Sequence, residues 1–210
     1  MLWRVEIRER AGVRDVLGEG VAKGIADLGI FNVTNVATVQ VFNIEGDISE
    51  PQIQTICSRL LTDPITQQSS CCPAADYQPP VPKPGFHVVE IAHNPGVMDP
   101  VEESALKAIR DLGIDGAQGI RTARQYQFHG KLSARQLNLI VDKVLANKLI
   151  QHVVRFDAPE HAALHTAKAV FKVMVVELLD ATDTGLTELS KTGQLFLNLN
   201  EMKAIRQYFS

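Results

Sequence analysis

Residues 2–16 read LWRVEIRERAGVRDV, and residues 86–100 read FHVVEIAHNPGVMDP. Each stretch alternates apolar and polar residues, turns at a glycine, and then places an aspartate before a run of helical periodicity. That is the signature of a half-buried strand leading into a capped helix. The two stretches also resemble each other. Val5-Glu6-Ile7 matches Val89-Glu90-Ile91, and Gly12, Val13 and Asp15 match Gly96, Val97 and Asp99. Farther on, 27–30 matches 111–114, Gly46 and Ser49 match Gly130 and Ser133, and Leu61 and Gln67 match Leu145 and Gln151, all at one offset (96 − 12 = 84) without a gap. The period is too long for a solenoid and points to two tandem folded units.

The pattern within each unit can be followed outward. Val16, Val21, Ile25 and Leu28 fall at helical spacing behind Asp15, and Gly29 stands where a helix C-terminus needs a left-handed residue. Val33 to Ile44 is rich in β-branched residues and long enough for one bent strand or a strand pair. Ser49-Glu50-Pro51 opens a second helix with Ile53, Ile56, Leu60 and Leu61 inward, and a short strand follows Asp63-Pro64. The second unit repeats this order through Phe86–His93, Asp99–Leu112, Ile120–Phe128, Ser133–Leu145 and Leu149–Phe156. The expected class is therefore α+β: two ferredoxin-like β-α-β-β-α-β units related by a pseudo-twofold, each with an antiparallel sheet and two helices on one face. Their sheets are expected to join edge to edge or to pack face to face.

Five prolines between Pro73 and Pro84 block helix and ladder alike and predict an extended, stiff connector. The expected division is a first unit at 1–72, a linker at 73–85, a second unit at 86–158 and an extension at 159–210. In that extension, 167–179 reads as a strand or as a helix leading into one. Thr182 and Asn198 read as caps of two short helices, the first around Leu186 and Leu189, the second carrying Met202, Ile205 and Phe209.

Composition narrows the function. Apolar residues are 45% and charged residues 21%, as in ordinary globular proteins. A formal charge of −3 does not attract a phosphate backbone, which argues against a nucleic-acid binder. No apolar run reaches the roughly 20 residues that span a bilayer, and the charged start carries no signal-peptide pattern, so a cytoplasmic location is expected. Three cysteines, Cys57, Cys71 and Cys72, do not make a disulfide framework. There is no Gly-rich phosphate loop, no nucleophile elbow and no cysteine in a nucleophilic setting. His161 and His165 share a helical face but lack the rest of a metal site, and the other histidines are scattered. Asp15 and Asp99 are matched across the repeat and are explained as helix caps. Arg121 and Arg124 are the better functional candidates. Standing three apart on a strand, they point to opposite faces, so only one reaches a given anion or partner.

The segments Gly96-Val97-Met98-Asp99-Pro100, Leu112-Gly113-Ile114, Ile120-Arg121, Tyr126 and Val144-Leu145-Ala146-Asn147 together resemble PurS, the small subunit of phosphoribosylformylglycinamidine synthase. The first repeat resembles it in Gly12-Val13-Arg14-Asp15, Gly18, Leu28-Gly29-Ile30 and Leu60-Leu61-Thr62-Asp63-Pro64. The copies have diverged: Glu102 stands at the place of Gly18, and Ala37 at the place of Arg121. Residues 176–181 and 198–209 are similar to the linker that leads into the large catalytic subunit, PurL, and the chain looks like the fused PurS-like region of the single-chain enzymes. The resemblance implies a non-catalytic bridge between a PurL-type synthetase and a PurQ-type glutaminase that assists ammonia transfer. ATP, Mg and glutamine would be used by those partners, with no cofactor in this chain. Arg121, Arg124 and Tyr126 are then the candidate partner-interface residues. A tandem effector-binding pair of the ACT type shares the same element order. An RNA-recognition pair would need exposed aromatics where only Phe42, Tyr126 and Phe128 stand.

Overall fold

The computed structural model describes residues 1–81, 83–156, 176–193 and 195–210, and divides into a large unit, Met1–Lys168, and a small one, Ala169–Ser210. The large unit runs β1 (Leu2–Glu9), α1 (Val16–Asp27), β2 (Val33–Gly46), α2 (Glu50–Ile56), β3 (Gln67–Pro73), β4 (Phe86–His93), α3 (Pro100–Asp111), β5 (Ala117–Gly130), α4 (Ala134–Ile140) and β6 (Gln151–Val153). Both α2 and α4 continue into a π-helical turn, Cys57–Leu61 and Val141–Leu145. Each element from β4 onward begins 84 residues after its counterpart. The caps are local and satisfied. Asp15 accepts from the Gly18 N–H, Asp99 from the Val101 N–H, and Ser133 from the Gln136 N–H.

All six strands form one antiparallel sheet in the order β3-β1-β2-β5-β4-β6. Each half thus supplies three strands where four were expected. The β-branched run from Val33 is a single strand of 14 residues ending at Gly46, and β5 repeats it. Asn35, Asn43 and Gly119 do not break the strands into hairpins, because each strand is paired along most of its length by the other. The halves therefore join edge to edge, β2 to β5. Gln40 lies opposite Arg124, its own counterpart 84 residues on, so the local twofold passes between them. Glycine closes both ends of this ribbon. A Cβ on Gly46 would lie 2.0 Å from the Gly116 carbonyl oxygen, and one on Gly130 would lie 2.0 Å from that of Asn32.

Strand alternation sends Trp3, Val5 and Ile7 of β1, Phe42 and Ile44 of β2, Val89 and Ile91 of β4, and Ile120, Tyr126 and Phe128 of β5 to the helix-covered face. Two cores form there, and neither belongs to one half. Trp3, Val5, Ile7, Phe42 and Ile44 pack with Ile53 and Ile56 of α2, and also with Ala105 and Ile109 of α3. Val89, Ile91, Tyr126 and Phe128 pack with Ile140 of α4, and also with Val21 and Ile25 of α1. The first helix of each half completes the other half's core. Burying an isoleucine is worth roughly 1.5–3 kcal/mol, so each half loses several such contributions when alone.

The small unit holds α5 (Asp183–Thr192) and α6 (Leu199–Tyr208), capped by Thr182 and Asn198 and packed through Leu186 and Met202. The Ser190 hydroxyl donates to the Leu197 carbonyl (2.7 Å) and accepts from the Leu197 N–H (3.0 Å), which fixes the connection. The segment expected as a strand or helix at 167–179 and the pair His161 and His165 lie largely outside the described residues; 176–179 has no regular structure. No described helix is long and apolar enough to cross a membrane.

Candidate functional site

On the face of the sheet opposite the helices, Arg4 of β1 reaches Glu90 of β4 across the two central strands. Its Nη1 and Nη2 donate to Glu90 Oε1 (3.0 Å) and Oε2 (2.7 Å), and its Nε and Nη2 donate to Glu6 Oε1 (3.0 and 2.9 Å). Arg8 pairs with the other oxygen of Glu6 at 2.7 Å. Gln125 donates to both Glu90 Oε2 (3.1 Å) and the Tyr77 hydroxyl (3.1 Å). The Tyr77 ring lies 3.8 Å from the guanidinium carbon, a cation–π contact that roofs the cluster. Arg4 and Glu90 side chains are only 4% and 1% exposed. Burial works against the charge on Arg4, but the Glu90 hydrogen bonds and charge outweigh it and hold the guanidinium protonated above its ordinary range. Two cations meet two carboxylates, and every donor of Arg4 that is named has an acceptor. This is a largely buried joint between the halves.

Two clefts open, one at each β–α turn. In the first half, Asp15 Oδ2 accepts from the Thr38 N–H (2.6 Å) and the Thr38 hydroxyl (2.9 Å), tying the start of α1 to β2. A cleft of about 490 Å³ opens beside it, lined by Arg8, Arg10, Arg14 and Gln127 among others. In the second half, Asp99 accepts from the Thr122 hydroxyl and lies 3.6 Å from His93 Nδ1. The cleft here is about 180 Å³ and is lined by Gln40, His93, Arg124, Tyr126 and Gln151.

Arg124 and Tyr126 meet in this second cleft, whereas Arg121 does not join them. Arg121 Nη1 stands 3.7 Å from Glu102 Oε2. Tyr126 is mostly core: burial raises its phenol above the usual range, and the neighbouring Arg124 pulls the other way. Phe42 and Phe128 are also core, which removes the stacking platform an RNA binder would need. The Arg4–Glu90 joint escaped the sequence reading because Arg4, Glu6 and Arg8 alternate like a solvated strand face. Its one signal was Glu6 and Glu90 at matched positions. Among the described residues, no cluster of three His, Cys, Asp or Glu side chains could hold a metal.

Comparison with known proteins completes the picture. The family model described as "PurS: Phosphoribosylformylglycinamidine (FGAM) synthase" matches residues 2–71. The phosphoribosylformylglycinamidine synthase subunit PurS of Archaeoglobus fulgidus is similar, 35% identical over 75 residues, which is 33% of this chain and 94% of that protein.

Proposed function

Because the chain belongs to the PurS family of phosphoribosylformylglycinamidine synthase, we propose that it is a non-catalytic bridging module of that synthase in purine biosynthesis. In this reading, two copies of one PurS unit are fused through the Pro-rich segment 73–85. They hold a PurL-type synthetase and a PurQ-type glutaminase, or the equivalent fused domains, in register, so that ammonia from glutamine reaches the amidination site. ATP, Mg and glutamine belong to those partners, and the assembly works in the cytoplasm. The observation that carries the reading is that 75 residues of the chain match nearly the whole length of a subunit of this synthase, with the family model on residues 2–71.

The architecture supports it. Fusion makes the pairing of the halves intramolecular and independent of concentration. The crossed helices and the Arg4–Glu90 joint stiffen the pair, as a spacer between two enzymes requires. Matched turns at the two sheet edges present Ile65 and Leu149, both more than four-fifths exposed. Each turn is locked by a side chain on its backbone: Asp63 accepts from the Ile65 N–H (2.7 Å) and Asn147 from the Leu149 N–H (3.1 Å). Two rigid apolar knobs on opposite edges suit a module that touches two partners. The small unit adds exposed Val176, Leu179, Leu195, Phe196 and Phe209 as further contact surface.

The test is co-purification with the synthetase and glutaminase, followed by turnover with glutamine and with free ammonia. The chain should raise glutamine-dependent turnover far more than ammonia-dependent turnover, and Ile65→Asp with Leu149→Asp should weaken capture. Equal glutamine-dependent turnover with and without the chain would remove the bridging role.

A further inference from the structure

We propose that the second-half cleft binds a small molecule through a single carboxylate, with Arg124 as its anchor. This inference does not depend on the bridging role. Arg124 is half-buried and has no ion pair among the described residues, so its guanidinium enters the cleft uncompensated. Such a group in a partly dry wall favours a planar oxyanion, which it can hold with two parallel hydrogen bonds. Besides the Asp99 carboxylate and apolar side chains, the lining includes further groups able to donate. The Tyr126 hydroxyl stands beside Arg124. The Gln40 side chain makes no hydrogen bond among the described residues, and Gln151 uses its carbonyl oxygen on the Asn147 N–H (3.0 Å), leaving its amide nitrogen to donate.

A second, independent observation points the same way. His93 Nδ1 is buried and has no hydrogen-bond partner, standing 3.6 Å from Asp99. A buried polar atom of this kind is normally satisfied by water or by a ligand. The counterpart place in the first half is also open but is lined by different groups. There Glu9 replaces His93, Gln40 replaces Arg124 and Phe42 replaces Tyr126, and Gln67 donates to Glu9 at 3.2 Å. At these matched positions only the second half carries a cation, a hydroxyl and an imidazole.

Size and charge define the ligand further. A cleft of about 180 Å³ has room for roughly six waters, so the bound group is a carboxylate with a short chain. Asp99 forms part of the wall, with its oxygens engaged by the Val101 N–H and the Thr122 hydroxyl. Its charge opposes a doubly charged phosphate more strongly than a singly charged carboxylate, which favours the latter beside Arg124.

The experiment is an NMR titration of the intact chain with sodium acetate, following the Arg124 Nε–H and the side-chain amides of Gln40 and Gln151. Acetate should cause saturable shifts confined to these groups. Arg124→Gln should weaken binding about 10- to 100-fold, and Arg121→Gln should leave it unchanged. Should Arg124→Gln lose the dispersed spectrum of a folded chain, Tyr126→Phe serves instead, with an expected several-fold weakening. Shifts that do not saturate, that persist in the folded Arg124→Gln variant, or that inorganic phosphate reproduces at equal concentration would each overturn the assignment.

Discussion

Truncating Arg4 to alanine should be the most damaging polar substitution in the chain. The change removes the four hydrogen bonds that the guanidinium makes to Glu6 and Glu90, and the cation–π contact with Tyr77. It also strands two carboxylates in a nearly dry place. Glu90 is 1% exposed and keeps only the Gln125 amide among its named partners; Glu6 keeps Arg8. Breaking a buried pair by removing one partner costs about 3–5 kcal/mol, most of it the burial of the orphaned charge. For a unit of this size each kcal/mol lowers the melting temperature by roughly 2–4 °C, so the expected drop is about 6–20 °C. Urea unfolding followed by far-UV circular dichroism, with calorimetry in parallel, measures both. The control is the triple change Arg4→Met, Glu6→Gln, Glu90→Leu, which removes the charges together and should stay within about 2 kcal/mol of the parent. A cost below about 1 kcal/mol for Arg4→Ala would mean that water reaches the cluster and that it does not join the halves.

Three further outcomes follow from particular sites. Gly18 and Gly20 both lie in α1, but a Cβ on Gly18 would stand 2.1 Å from the Val36 carbonyl oxygen while one on Gly20 meets nothing within 4 Å. Gly18→Ala should therefore destabilise by about 1–3 kcal/mol, and Gly20→Ala should stabilise by up to about 1 kcal/mol, as read by denaturant midpoints. Burial, with Cys71 close by, pushes the Cys57 thiol up to about 12. Above its ordinary pKa the unfolded chain ionises this thiol first and binds fewer protons than the folded chain, so stability should fall between about pH 9 and 12, by up to roughly 1.4 kcal/mol per pH unit. Cys57→Ala should flatten that decline, and Tyr77, whose phenol burial also raises to about 12, adds to it in the same direction. A protease site introduced at the exposed Val81 should be cut without separating the pieces at micromolar concentration, because each core draws on both sides of the cut. Elution as two folded monomers would contradict this.

Much of the element order could be read from the residues. Asp15, Asp99, Ser133, Thr182 and Asn198 each announce a helix start through short-range hydrogen bonding, and the apolar period behind each sets its inward stripe. Periodicity says which stripe of α1 is apolar, but not which sheet half covers it, so the crossing of α1 and α3 was not legible. Nor was the pairing of β2 with β5: a β-branched run of 14 residues fits a hairpin or a single strand equally well until its neighbour is known. At the candidate sites, Arg124 and Tyr126 line one cleft while Arg121 stands by Glu102 of α3, a placement that depends on the packing of α3 and not on strand period alone. The burial of Arg4 was hidden because its roof, Tyr77, comes from a segment whose prolines mark a connector and say nothing of what it covers.

The chain's single tryptophan offers the most direct test of the crossed architecture. Trp3 belongs to β1 and packs in the core that α3 completes through Ile109, whereas Ile25 of α1 lies in the other core. Each isoleucine-to-alanine change should cost about 2–5 kcal/mol, but their effects on tryptophan emission and acrylamide quenching in the native state should differ. Ile109→Ala, more than a hundred residues away in sequence, should shift the emission of Trp3 and open it to quencher, and Ile25→Ala, in the same half as Trp3, should leave both unchanged. The reverse pattern, with Trp3 responding to Ile25 and not to Ile109, would show that each half keeps its own helices and would contradict the account.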